Sequence, residues 1–177
     1  MPKYLVDNFL ITSYQVDSKG ELCEKLQRQY DYYLVLPEPE AFHDAFILSC
    51  QLVGTHEMFG IGVLSAAGWN VSIRAICEDT CLAIGYDDHF AVVDLAKKSI
   101  LWDMKLGSTF FFVKQYQNIL VIITEITIFF LTPSGQSIQS VASDDVILAF
   151  YFEEDTLLYD TSSGTHRIML SEMAKSN

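Results

Sequence analysis

From Ala45 onward the chain is a succession of short apolar runs, each stopped by a turn signal, and few architectures accommodate that pattern. Phe46–Val53, Met58–Ser65, Trp69–Cys77, Cys81–Tyr86, Phe90–Asp94 and Ser99–Met104 all have strand length. So do Thr109–Val113, Ile119–Thr124, Ile126–Leu131, Gln136–Val141, Val146–Phe152, Thr156–Asp160 and Thr165–Leu170. β-Branched and aromatic residues dominate them, and turns recur about every 8–12 residues, the mark of an all-β chain. Ser-Ala-Ala-Gly at 65–68, Thr-Pro-Ser-Gly at 132–135 and Thr-Ser-Ser-Gly at 161–164 close on glycine. Glycine accepts the positive φ that tight hairpins demand. The expected fold is an antiparallel meander of repeated hairpins, either propeller-like or a two-sheet sandwich.

Helix is expected only in the first 45 residues. Phe9–Val16 and the Asp17-Ser-Lys-Gly20 turn admit one more hairpin. Leu22, Leu26, Tyr30 and Tyr33 recur instead at helical spacing, which allows a short amphipathic helix over Glu21–Asp31. Tyr32–Leu36 reads as a strand stopped by Pro37-Glu-Pro-Glu40, and Ala41–Ala45 as one helical turn. With 177 residues and 50% hydrophobic content, the chain is expected to form one domain with a real core. Residues 1–45 would be its N-terminal region, 46–170 the repeats and 171–177 a tail.

The hairpins share a form: three apolar residues, a turn-former, two or three small or polar residues, then a new strand. It recurs at uneven intervals in Tyr14–Leu22, Gly62–Asn70, Ala91–Ile100, Phe129–Ile138 and Leu157–His166. The run Ile84-Gly-Tyr-Asp-Asp-His-Phe-Ala-Val-Val-Asp-Leu-Ala-Lys-Lys-Ser-Ile-Leu-Trp102 shows it best. That run resembles a blade of a WD40-like or kelch-like β-propeller, and the resemblance extends over residues 46–170. It implies repeated antiparallel blades. The pair Trp102-Asp103 closes a different strand from the one that carries it in WD40 blades, and no Gly-His pair precedes the units.

Charge narrows the partners. Lys and Arg number 11 against 23 Asp and Glu, so the formal net charge is 11 − 23 = −12. Nucleic-acid binding needs the opposite sign, because lysine and arginine must displace counterions. The most apolar window, Asn118–Leu131, contains Glu125 and β-formers, and falls short of the ~20 residues of a membrane helix. No basic region with a long apolar run opens the sequence, so a cytoplasmic protein is expected. Cys23, Cys50, Cys77 and Cys81 then read as free thiols. Cys77 and Cys81 lack a second nearby pair to complete a metal site, and neither metal nor cofactor is expected.

Catalytic signatures are missing. His43, His56, His89 and His166 read as turn or surface residues, and neighbours such as Asp88-His89 point to opposite faces of a strand. No nucleophile elbow, phosphate loop or zinc-protease motif occurs. Glu38 and Glu40 are spaced for a carboxylate pair but sit between prolines, as a solvated loop does. Asn70-Val-Ser72 is a sequon without an export signal. The aromatic runs Phe110–Phe112, Phe129–Phe130 and Phe150–Phe152 put rings on both faces of their strands, so both faces need cover.

Acids between strands remain: Glu78-Asp79, Asp87-Asp88, Asp144-Asp145 and Glu153-Glu154-Asp155, with Glu125 in a further turn. One account makes them solubilising turns. The other uses strand direction: alternate turns of a meander share an edge, which gathers two or more acidic turns into a negative surface. If every hairpin unit starts a blade, Asp87-Asp88, Glu125 and Glu153–Asp155 occupy equivalent turns. The residues expected to bind a partner are Asp87, Asp88, Glu125, Asp144, Asp145, Glu153, Glu154 and Asp155. By size, acidity and lack of catalytic motifs the chain is similar to immunity proteins of bacterial toxin–immunity systems. That similarity implies a basic toxin, a nuclease for example, as the partner. A scaffold subunit of a larger assembly, and a hydrolase whose groups converge only in the fold, are the alternatives.

Overall fold

The computed structural model describes residues 3–6, 8–66, 71–78 and 80–175. Trp69, the end of the 65–68 turn, Asn70 of the sequon and Asp79 lie outside the described residues. The chain divides into two compact units, Met1–Lys105 and Leu106–Asn177. The expected class holds: the elements are mostly strands in antiparallel sheets.

The first unit opens with β1 (Lys3–Val6), β2 (Phe9–Val16), helix α1 (Lys19–Gln29), β3 (Tyr32–Val35), β4 (Asp44–Leu52) and β5 (Met58–Ser65). They form one sheet in the order β1-β2-β4-β5-β3. Ser18 starts α1 by accepting the Glu21 N–H (3.1 Å), while Glu21 accepts the Asp17 N–H (2.7 Å). This reciprocal capping box selects the helix over the hairpin. Leu22, Leu26 and Tyr30 point from it into Val16, Ala45, Ile47 and Leu64. Gly60 and Gly62 in β5 permit that approach: a Cβ on Gly60 would stand 2.6 Å from Leu26 Cδ2 and 2.9 Å from Tyr30 Cδ2. The helix carries the chain to the far edge of the sheet, so β3 lies parallel to β5, the one departure from antiparallel pairing among these strands. Ala41–Ala45 is not helical; Asp44 and Ala45 already pair with Ser65 and Leu64.

The second sheet of this unit is a plain meander: β6 (Ser72–Ile76), β7 (Cys81–Tyr86), β8 (His89–Asp94) and β9 (Ser99–Lys105). Its inner face meets the first sheet, where Ile11, Leu48, Phe59 and Ile61 pack with Leu82, Ile84, Ala91 and Val93, all without solvent exposure. Each such large aliphatic or aromatic side chain contributes about 1.5–3 kcal/mol by leaving water.

The second unit repeats that meander with β10 (Phe110–Tyr116), β11 (Ile119–Thr124), β12 (Thr127–Leu131) and β13 (Ser137–Ala142). Each strand starts at one constant offset from its counterpart: 110 − 72, 119 − 81, 127 − 89 and 137 − 99 all equal 38. The turn-formers keep the same register. Asp94 accepts the Lys97 N–H (2.8 Å), and Thr132, at that same offset, accepts the N–H of Gln136 (3.0 Å). A three-stranded sheet follows, β14 (Ala149–Glu153), β15 (Thr156–Thr161) and β16 (Gly164–Met169). Helix α2 (Leu170–Lys175) then takes the place of a fourth strand. Helix is therefore not confined to the first 45 residues, and most of the stretch read as a tail is α2. Ile119, Val121, Ile123, Ile128 and Phe130 form the core of this unit with Leu157, Tyr159, Ile168 and Leu170.

Candidate functional site

The acidic turns divide into two kinds. In the first unit Asp87 sits in the β7–β8 turn at φ 46°, a left-handed conformation that aspartate tolerates better than most residues. Its carboxylate accepts from Ser65 Oγ (2.9 Å) and the Ala66 N–H (2.6 Å), so it fastens the end of β5 to this turn. Asp88 lies 3.6 Å from Lys105 Nζ and 2.7 Å from His89 Nδ1, but the second approach lacks hydrogen-bond geometry, and the buried Nδ1 has no hydrogen-bond partner among the described residues. The His89 ring stacks on Tyr86 (centroids 5.4 Å apart), whose hydroxyl donates to the Pro37 carbonyl (2.8 Å). Burial, then the charges of Asp103, Asp87 and Asp88, push the Tyr86 phenol well above its ordinary range.

In the second unit successive turns of the meander alternate ends. Glu125, between β11 and β12, accepts the Ile147 N–H through its carbonyl (2.8 Å). The segment leading to β14 therefore lies at that end, with Asp144 and Asp145. Asp145 accepts from Ser162 Oγ and the Val146 N–H, which hold its carboxyl below the usual carboxylate range. Asp144 is exposed, and its charge adds to burial in raising the Tyr159 phenol. Glu153 ends β14, and Glu154 and Asp155 form the β14–β15 turn at the other end of the sheet. The expected equivalence of that turn with those of Asp87-Asp88 and Glu125 fails: it is a first turn of a sheet, and they are second turns. Asp155 is tied down, accepting from Ser171 Oγ (3.0 Å) and, through its carbonyl, from the Leu170 N–H (2.7 Å). Glu153 and Glu154 are exposed. The structure thus joins Glu125 with Asp144 and Asp145 and sets Glu153–Asp155 apart.

Between these ends runs an uncovered apolar strip that sequence reasoning missed. Val146, Leu148 and Tyr151 are 36%, 69% and 43% exposed. Phe150 and Phe152 turn the other way, against Phe112 (centroids 5.3 and 6.1 Å), and Lys114 Nζ lies 4.2 Å over the Phe152 ring. One face of the aromatic run is covered within the chain, and Tyr151 is not. Strand alternation marks Tyr151; Val146 and Leu148 share the parity of Phe150 and Phe152 and lie before β14 starts at Ala149.

Other polar groups are engaged locally. His166 Nε2 lies 3.1 Å from Thr161 Oγ1 and 3.3 Å from Ser163 Oγ, inside one hairpin, with its ring stacked on Tyr159. A surface recess of about 320 Å³ along α1 is lined by Glu21, Glu24, Lys25, Arg28 and Gln29. Its four charges are already paired, Lys25 with Glu21 and Arg28 with Glu24. Cys50 and Cys81 are buried, Cys23 and Cys77 are half-buried, and these four form no disulfide with one another. Among the described residues no three His, Cys, Asp or Glu side chains are placed to hold a metal ion. None of the described helices is long and apolar enough to cross a membrane.

No family model matches the chain, and no curated protein matches it in sequence. Solved structures resemble it in fold. The dihydro-heme d1 dehydrogenase NirN, solved in complex with DHE, superposes with a TM-score of 0.53 at 14% identity, over 73% of this chain and 32% of its own. BamB from Moraxella catarrhalis aligns over 90% of this chain and 48% of its own (TM-score 0.49, 14% identity). Hsv2 from Kluyvelomyces marxianus aligns over 71% and 42% (TM-score 0.48, 14% identity). All three are β-propeller proteins, and the chain spans less than half the length of each. The NirN likeness and the two four-stranded meanders agree on a propeller-like fold.

Proposed function

We propose that the chain is a non-catalytic, cytoplasmic binding module that engages a positively charged protein, in the manner of an immunity protein neutralising a basic toxin. One observation carries this reading. Residues 106–177 hold eight acidic and three basic side chains, and five of the eight acids fall within Asp144–Asp155. Two of the three bases are occupied, Lys114 over Phe152 and Arg167 on Thr156 Oγ1. Those contacts leave both positive charges in place, so residues 106–177 carry a net 3 − 8 = −5, concentrated in Asp144, Asp145, Glu153, Glu154 and Asp155, with Glu125 adding to it at one end. Asp87 belongs to the architecture of the first unit, and Asp88 already faces a lysine.

Opposite charges act mainly on encounter, and salt screens them over a Debye length of about 8 Å at physiological ionic strength. The test is stopped-flow association of wild type and the Glu153→Lys/Glu154→Lys variant with the basic protein that copurifies from the native host. At low salt the variant is expected to associate about tenfold more slowly, and the gap to close as salt rises. Equal rates at low salt would make these acids mere solubilising turns and remove the reading.

A further inference from the structure

The open edge of β14 joins an exposed apolar run to acids at both of its ends. No strand pairs with its outer side among the described residues. Proteins usually guard such edges with lysine, proline or inward charge. Exposed Lys3 stands on β1, Arg74 on β6, Asp103 and Lys105 on β9 and Arg167 on β16. Lys114 stands on β10, and β13 exposes Ser137, Gln139 and Ser140. β14 carries its charge at its last residue, the exposed Glu153; the run Val146–Phe152 has no charge and no proline, and it exposes Val146 and Leu148 just ahead of the strand and Tyr151 within it. Edge strand β3 is also apolar, but the glutamates after it are matched: Glu38 lies 2.5 Å from Lys19 and Glu40 3.9 Å from Lys105.

Acids bracket the β14 strip at both ends, Asp144-Asp145 before it and Glu153-Glu154-Asp155 after it. This bracket decides the occupant. A second copy of the chain, paired β14 to β14 in antiparallel fashion, would set Asp144-Asp145 of one copy beside Glu153-Glu154 of the other. Like charges directly opposite destabilise a strand pair. A strand whose apolar middle lies between basic ends meets attraction at both ends and supplies the missing main-chain partners.

We propose that β14 is a docking strand for an extended segment of a partner protein, alternately apolar in the middle and carrying lysine or arginine at both ends. The proposal rests on the acidic-binding reading and adds to it a place and a backbone mode. Main-chain hydrogen bonds along the β14 edge would fix the segment's register, Leu148 and Tyr151 would pack against its apolar side chains, and the flanking acids would select its ends.

The probe is a fluorescein-labelled peptide of alternating valine and threonine with two lysines at each end, measured by anisotropy on the whole chain. Three companions are compared: the same core with glutamates at the ends, and the lysine-ended peptide N-methylated at alternate residues in either of the two registers. The lysine-ended peptide is expected to bind and to protect the amides of residues 149–153 from hydrogen exchange. The glutamate-ended peptide should bind at least about tenfold more weakly. One N-methylated register should lose about tenfold, because it removes donors facing β14, and the other should lose little. Leu148→Asp/Tyr151→Asp, changed at exposed positions, should abolish binding while its circular dichroism stays that of wild type. Equal binding of both N-methylated peptides would overturn strand addition and leave the acidic reading standing. Equal binding of lysine-ended and glutamate-ended peptides would overturn both. Failure of the lysine-ended peptide to bind would overturn strand addition alone, because the kinetic experiment above tests the acidic reading independently.

Discussion

Asp87 is the acid whose removal should hurt folding rather than binding. In Asp87→Ala the Ser65 hydroxyl and the Ala66 N–H lose their acceptor, and Ser65 is fully buried. Hydrogen bonds to a charged acceptor contribute about 1.5–3 kcal/mol each. The carboxylate is half-buried, so water can re-solvate part of what is lost, and about 2–3 kcal/mol for the pair is the reasonable sum. Alanine must also hold φ 46°, which costs about a further 1 kcal/mol. The total of ~3–4 kcal/mol is a large part of the 5–15 kcal/mol that holds a typical domain together. Asp87→Asn keeps one acceptor oxygen and tolerates the left-handed backbone, so its loss should be ~1 kcal/mol. Urea unfolding followed by tryptophan fluorescence measures both, since Trp102 lies on β9 of the first unit. Glu153→Lys/Glu154→Lys serves as the control and should shift stability by no more than about 0.5 kcal/mol. If Asp87→Ala unfolds at the same urea concentration as that control, the fastening role is wrong and Asp87 returns to the candidate docking acids.

Two further outcomes follow from packing and burial. Gly60→Ala should lose about 1–2 kcal/mol, overpacking against Leu26 and Tyr30 outweighing the backbone gain of replacing glycine; in the background of Leu26→Ala the same change should cost far less, and additive losses would refute the close-approach argument. Burial raises the phenols of Tyr30 and Tyr86 above their unfolded value of ~10, so their contribution is intact below that pH and is lost as pH rises beyond it; tyrosinate absorbance from these two should appear only with alkaline unfolding, and its appearance near pH ~10 in a chain with native circular dichroism would contradict the burial.

The strands were legible where apolar runs end abruptly. Met58–Ser65, Cys81–Tyr86 and Ile119–Thr124 have the same bounds in sequence and structure. The last two are buried along their whole length, so their side chains are apolar on both faces and the run ends where burial ends. β1 went unread because four residues, two of them exposed, carry too little periodicity. The repeat was half legible. Ala91 and Phe129 start units at the true offset, 129 − 91 = 38, because both units hold a sheet's third turn. Leu157 begins a unit that holds the second turn of the next sheet, and Tyr14 in β2 and Gly62 in β5 begin units outside the repeated meanders, so three of the five units are out of register and hide the period. For the candidate site the limit was different. Which acids are spent on structure depends on partners such as Ser65, 22 residues from Asp87, and Ser162, 17 residues from Asp145, which no local pattern marks.

The constant period of the meanders also explains why acidity alone misleads. Asp87 in the β7–β8 turn and Glu125 in the β11–β12 turn stand at that same offset, 125 − 87 = 38, and Ser162 in the β15–β16 turn follows at 162 − 125 = 37. Each occupant of this slot fastens its turn to a segment outside its own hairpin. Asp87 reaches Ser65 and Ala66 after β5, Glu125 bonds through its backbone to Thr109 before β10 and to Ile147 before β14, and Ser162 donates to Asp145. One slot uses a carboxylate, the next a backbone and the third a hydroxyl, so the geometry, not the charge, is what repeats. A carboxylate that serves as a fastener is already held by donors and has less of its field to offer a partner. The charges left for recognition are Glu125, whose fastening runs through its backbone, Asp144 beside the fastened Asp145, and Glu153-Glu154 at the opposite end. They frame β14, an apolar edge strand with which no other strand pairs on its outer side among the described residues.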